Sequence, residues 1–118
     1  MATYSRQLLS ASTNGRPIKV AATASAGTTI HTAVSGTSSY DEIWLWATNT
    51  DSAERTITVE WGGTSNPDDR IVNAYTLPAN SSPIALIEGV CLQNSLIVKA
   101  FASSANVVLI TGHVNRIA

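Results

Sequence analysis

The sequence predicts an all-β protein: a single antiparallel β-sandwich, jelly-roll or Greek-key-like, with an extended N-terminal arm. Three observations carry that expectation. Runs rich in β-branched and aromatic residues recur at intervals of about 8 to 12 residues. Gly, Ser, Asn and Pro fill the gaps between them, and no run shows the 3.6-residue apolar period of a helix. Ser and Thr make up about a quarter of the chain, a bias that suits strands and turns better than long helices.

Residues 1–16 hold one apolar pair, Leu8 and Leu9, among polar residues and end at the turn signal Asn14-Gly15. They read as an arm, or at most a first edge strand, ahead of a sandwich domain over 17–118. After Pro17, "IKVAATA" and "TTIHTAV" read as two strands, closed by "SGTSS". "EIWLWATNT" and "RTITVEWGG" flank Asp51-Ser52-Ala53, which predicts an antiparallel hairpin over 42–61. "GGTSNPDDR" is a loop, and "IVNAYTL", "PIALIEG", "VCLQN", "LIVKAFA" and "VVLITGHV" supply the remaining strands.

The composition excludes several classes of function. With 118 residues and 12.4 kDa there is material for one core only. A net charge of −1 and 13% charged residues leave no electrostatic footprint for nucleic acid or an anionic membrane. Cys91 is the only cysteine, so no intramolecular disulfide or cysteine metal cluster is expected, and Val90 and Leu92 beside it suggest a small buried hydrophobe. The N-terminus lacks the apolar stretch of a secretory signal, so synthesis in a cytoplasm is expected and the sequon at Asn80 has no context.

No nucleophile elbow, phosphate-cradling glycine loop or zincin motif is present, so no enzyme, catalytic residue or cofactor is expected. His31 and His113 could join Asp68 or Asp69 at a metal, and the same aspartates could offer oxygens to calcium. In each case the plainer reading, strand histidines and a solvated turn next to Arg70, is preferred, and no metal is expected.

The unusual feature is "DEIWLWATNT" at 41–50, which carries large apolar side chains on both faces of one strand. Ile43, Leu45 and Ala47 share one face, and Trp44 and Trp46 the other. The hairpin register decides which face is outward. With Leu45 opposite Val59 the tryptophans point out; with Trp46 opposite Ile57 they join the core. Outward tryptophans are preferred, and covering both would gain on the order of 7 to 12 kcal/mol gross per subunit. Trp44, Trp46 and Tyr40, with Leu8 and Leu9 from the arm, are therefore the candidate interface residues. Cover by a segment of the same chain is the simpler alternative, and sugar stacking on the exposed rings is another.

The succession "LWATNTDSAERTITVEWGG" and "YTLPANSSPIALIEGVCLQNSLIVKAFASSANVVLITGHVNRI" resembles small β-sandwich virion proteins of tailed bacteriophages, such as capsid decoration (cement) proteins and related head or tail accessory subunits. The shared style is a strand ending in Asn-Thr, a Ser/Ala turn into Thr-Ile-Thr-Val, a Pro-Ala-Asn segment and an Ala-Ser-Ser-Ala-Asn hairpin. It runs over about residues 43–117. The resemblance implies a structural role in the virion without catalysis: a homo-oligomer, often a trimer in decoration proteins, docked on the major capsid protein or another virion lattice. The alternative reading is a tail or fibre accessory module that binds a carbohydrate or host receptor.

Overall fold

The structure is a computed structural model and describes residues 3–118. Nine strands follow in order: β1 (Tyr4–Leu8), β2 (Ile18–Lys19), β3 (Thr28–Thr32), β4 (Tyr40–Asn49), β5 (Arg55–Trp61), β6 (Arg70–Leu77), β7 (Ile84–Leu92), β8 (Ile97–Ala102) and β9 (Val108–Ile117). They form two packed antiparallel sheets, one ordered β1-β9-β4-β7 with β2 also on β9, the other β3-β8-β5-β6. Apart from β2, the pairs nest. The first strand lies on the last, β3 on β8, β4 on β7 and β5 on β6, which is a jelly-roll arrangement. The all-β sandwich is therefore the fold of the chain.

Strict alternation builds the core. In β4, Ile43, Leu45 and Ala47 are fully buried, and Val108, Ile110 and Val114 of β9 join them on the same inner face. Ile57 and Val59 of β5 and Val98, Ala100 and Ala102 of β8 close the core from the other sheet. Burial of such side chains stabilises by about 1.5–3 kcal/mol each for the larger aliphatics, so this layer dominates folding. Gly112 lets β9 and β4 approach: a Cβ there would run into the Trp44 carbonyl oxygen.

The hairpin expected over 42–61 does not form. β4 pairs with β9 and β7, whereas β5 pairs with β6 and β8, so residues 50–54 arch from one sheet to the other. Buried Asn49 holds that arch: its Nδ2 donates to the carbonyls of Ala53 (3.0 Å), Leu77 (3.3 Å) and Pro78 (3.1 Å). The Ser103–Asn106 turn is likewise an arch and not a hairpin, because β8 and β9 lie in different sheets. "PIALIEG" and "VCLQN" are one strand, β7, bent by irregular register on either side of Trp44–Leu45.

Within the stretch read as an arm, residues 4–8 are an edge strand on β9, in unbroken register from Tyr4↔Ile117 to Leu8↔His113; Met1 and Ala2 lie outside the described residues. Beyond β1 the chain crosses toward the second sheet, where the Ala11 N–H donates to the Ile30 carbonyl. Leu9 enters the core at this crossing.

Candidate functional site

The register of the five-stranded sheet fixes what each face presents. Tyr4, Ile117 and Tyr40 form one outward row; Arg6, Asn115, Glu42 and Cys91 the next; Leu8, His113, Trp44 and Glu88 the third; Thr111, Trp46 and Ala85 the fourth. The tryptophans thus point away from the core, for a reason other than a hairpin register: β4 is a central strand whose inner face is already taken by Ile43, Leu45 and Ala47.

The indoles are only half-exposed, because the sheet supplies its own cover. His113 of β9 lies directly across from Trp44 and diagonally from Trp46, at the spacing where long side chains meet. Its imidazole stacks on both, with centroids 6.0 Å from Trp44 (interplanar angle 14°) and 5.9 Å from Trp46 (29°). On its other side Trp44 lies over Gly89, where the φ of +79° and the 3.0 Å from a notional Cβ to Trp44 Cζ2 both favour glycine. The area a partner could cover on Trp44 and Trp46 is accordingly smaller than full exposure would give, and the gain reckoned from the sequence is too large.

Burial, with the positive charge of Arg6 adding to it, holds the pKa of His113 below the usual histidine value. A neutral imidazole between two indoles forms an apolar ridge. In the outward rows of this sheet the large exposed hydrophobics are Tyr4 (64%), Leu8 (57%) and Tyr40 (38%); Val90 on β7 is also exposed, as are Ile71, Tyr75 and Leu96 elsewhere. Leu9, proposed as an interface residue from the sequence, is 2% exposed and serves the core, since adjacent side chains point to opposite sides. Cys91 is exposed beside Tyr40 and not buried as expected; desolvation and then the Glu42 charge raise its pKa, which disfavours the thiolate.

The two histidines do not converge. His31 is 1% exposed and belongs to a buried cluster that sequence reasoning did not foresee. Its Nδ1 accepts from the Ser10 N–H (3.0 Å), so the ring proton sits on Nε2, which donates to Asp41 Oδ2 (2.8 Å). Asp41 also accepts from Arg116 through Nε (2.7 Å, Oδ1) and Nη2 (3.0 Å, Oδ2), and from the Val34 N–H (3.1 Å). Burial alone would raise the Asp41 pKa, but the hydrogen bonds from Arg116 and His31 and the positive charge of Arg116 outweigh it and hold the group below the ordinary carboxylate value.

Ser10, His31 and Asp41 are residues that could make a hydrolytic triad, but their geometry is that of a clamp between the sheets. The imidazole contacts the serine backbone and not its hydroxyl, and Ser10 Oγ accepts from the Thr32 N–H (2.7 Å). Asp69 turns its Oδ2 to the Ser65 N–H (2.9 Å) in its own loop. Among the described residues, no three His, Cys, Asp or Glu side chains are grouped to hold a metal ion. No family model matches the chain, and no curated protein or solved structure does either.

Proposed function

We propose that the protein is a non-enzymatic structural subunit that associates with copies of itself through the outer face of its five-stranded sheet. On this reading it decorates and stabilises the capsid lattice of a tailed-phage particle. The observation that carries self-association is that Tyr4, Leu8 and Tyr40 are exposed on the same outer face as the Trp44–His113–Trp46 ridge, Leu8 in the ridge's own row. The phage setting rests on the resemblance of residues 43–117 alone. A receptor-binding role draws less support from this face, because the imidazole occupies one side of each indole that a sugar would stack on.

Light scattering across rising concentration tests the association, followed by co-sedimentation with phage particles. The expected result is an oligomer that Tyr4→Ser with Leu8→Ser disperses while the fold persists, since both side chains lie outside the core. A protein that stays monomeric at millimolar concentration and does not sediment with particles would overturn the reading.

A further inference from the structure

A second feature lies on the opposite side of the molecule, on the outer face of the four-stranded sheet. A cavity of about 240 Å³ opens there, and its lining includes Thr58, Arg70, Asn73, Phe101 and Ser103. The Arg70 guanidinium lies over the Phe101 ring, 5.2 Å from its centroid. Its Nε–H is buried without an acceptor, the one such side-chain atom among the described residues. Buried polar groups in folded proteins are almost always paired, so an orphaned guanidinium N–H calls for an explanation.

Several groups in this lining are free to donate, and the Thr23 and Thr56 hydroxyls, which also line it, can donate or accept. Thr58 Oγ1 accepts from the Ala74 N–H (3.0 Å) and Ser103 Oγ from the Thr56 N–H (3.0 Å), which leaves both hydroxyl hydrogens available. Asn73 Oδ1 takes a long bond from Arg70 Nη1 (3.4 Å), which leaves its amide hydrogens free. Among the described residues no carboxylate makes an ion pair with Arg70: Glu60, its cross-strand partner, is bound to Ser25 Oγ and to the Gly27 N–H. A hollow that offers a guanidinium and several free hydroxyl and amide hydrogens suits a small accepting ligand, and its size is below that of pockets for drug-like molecules.

We propose that this cavity binds a small oxyanion, a carboxylate or phosphate group, held by the Arg70 fork with the Thr58 and Ser103 hydroxyls donating. Binding gives the guanidinium the acceptor it lacks: its Nε and Nη edge turns from Phe101 to the anion. The inference is independent of self-association, which uses the other sheet.

The test is an NMR titration of the full chain with inorganic phosphate and, separately, acetate, at ionic strength held constant with chloride. Saturable shifts of the Arg70 Nε–H and of the Ala74 and Ser103 amides are expected. Response to phosphate alone, acetate alone or both upholds the site and tells which group it prefers. Arg70→Gln should weaken binding at least tenfold, while Lys99→Gln, outside the cavity, leaves it unchanged. Should Arg70→Gln unfold, Arg70→Lys keeps the charge without the fork and is expected to bind at least threefold more weakly. No saturable shift with either anion overturns the proposal, as does unchanged affinity in the Arg70 variant that folds.

Discussion

Asp41→Asn removes a charge where both sheets are tied together, and its cost can be worked from the hydrogen bonds. The carboxylate accepts four: two from Arg116 and one each from His31 and the Val34 N–H. An asparagine oriented with its oxygen in the Oδ2 position keeps the bonds from His31, Val34 and Arg116 Nη2. Its amide nitrogen then faces the Arg116 Nε–H, donor against donor. Breaking a buried ion pair by neutralising one partner costs about 3–5 kcal/mol. Arg116 is 31% exposed, so water recovers part of its solvation, and the lower end of that range, about 3 kcal/mol, is expected.

An unfolding entropy of about 2.1 cal/mol/K per residue over 118 residues makes 1 kcal/mol worth about 4 °C, so Tm should fall by roughly 12 °C. Urea unfolding at about pH 7 and about pH 3 isolates the charge. Because the folded pKa of Asp41 lies below its unfolded value, its stabilisation is complete above the unfolded value of 3.8 and is lost as pH falls through the folded one. The gap between the parent protein and Asp41→Asn should therefore narrow in acid. A loss under about 1 kcal/mol at neutral pH, or a gap that does not change with pH, would refute the clamp.

The same linkage runs in the same direction for His113. Its folded pKa is depressed, so the neutral ring stabilises fully above the unfolded value of 6.5 and progressively less as pH falls toward the folded value. An imidazolium quenches an adjacent indole, so tryptophan emission should drop with a midpoint below 6.5, and His113→Gln should abolish that step. A midpoint above 6.5 would mean that cation–π attraction to the two indoles outweighs burial and Arg6. Gly112→Ala should cost more than about 3 kcal/mol in denaturant melts, because the added methyl meets backbone atoms of Trp44 and Leu45 that cannot move independently. Gly36→Ala, in open space but at φ +76°, should cost only about 1 kcal/mol.

The alternation of apolar residues and the spacing of turns made the strands legible, but not their partners. A turn such as Asp51-Ser52-Ala53 has the same chemistry whether the chain returns beside itself or arches to another sheet. In a jelly roll most connections arch, and of the consecutive strands only β5 and β6 pair. The register that matters for Trp44 is set by His113, far along the chain, so no local rule could find it. Glu60 shows the same limit: alternation places it on a solvent face, but the segment carrying Ser25 and Gly27 covers it. Leu8 and Leu9 lay within reach, since neighbours in an extended chain cannot share a face, and one of the two had to face inward.

The apolar second face of residues 43–47 therefore has two causes acting in sequence. A central strand of a sandwich must be apolar inward, which Ile43, Leu45 and Ala47 satisfy. Its outward tryptophans find their first partner within the sheet, in an imidazole whose charged form burial disfavours. What is left for another molecule is not the indole faces but the flank. There Tyr4 and Leu8 stand on an edge strand whose outer side, among the described residues, has no strand paired to it. Edge strands with unpaired backbone and exposed apolar side chains are templates for association unless charge blocks them, and β1 carries a single charge, on Arg6. If the protein assembles, the variants that separate its copies should therefore map to β1 before they map to Trp44.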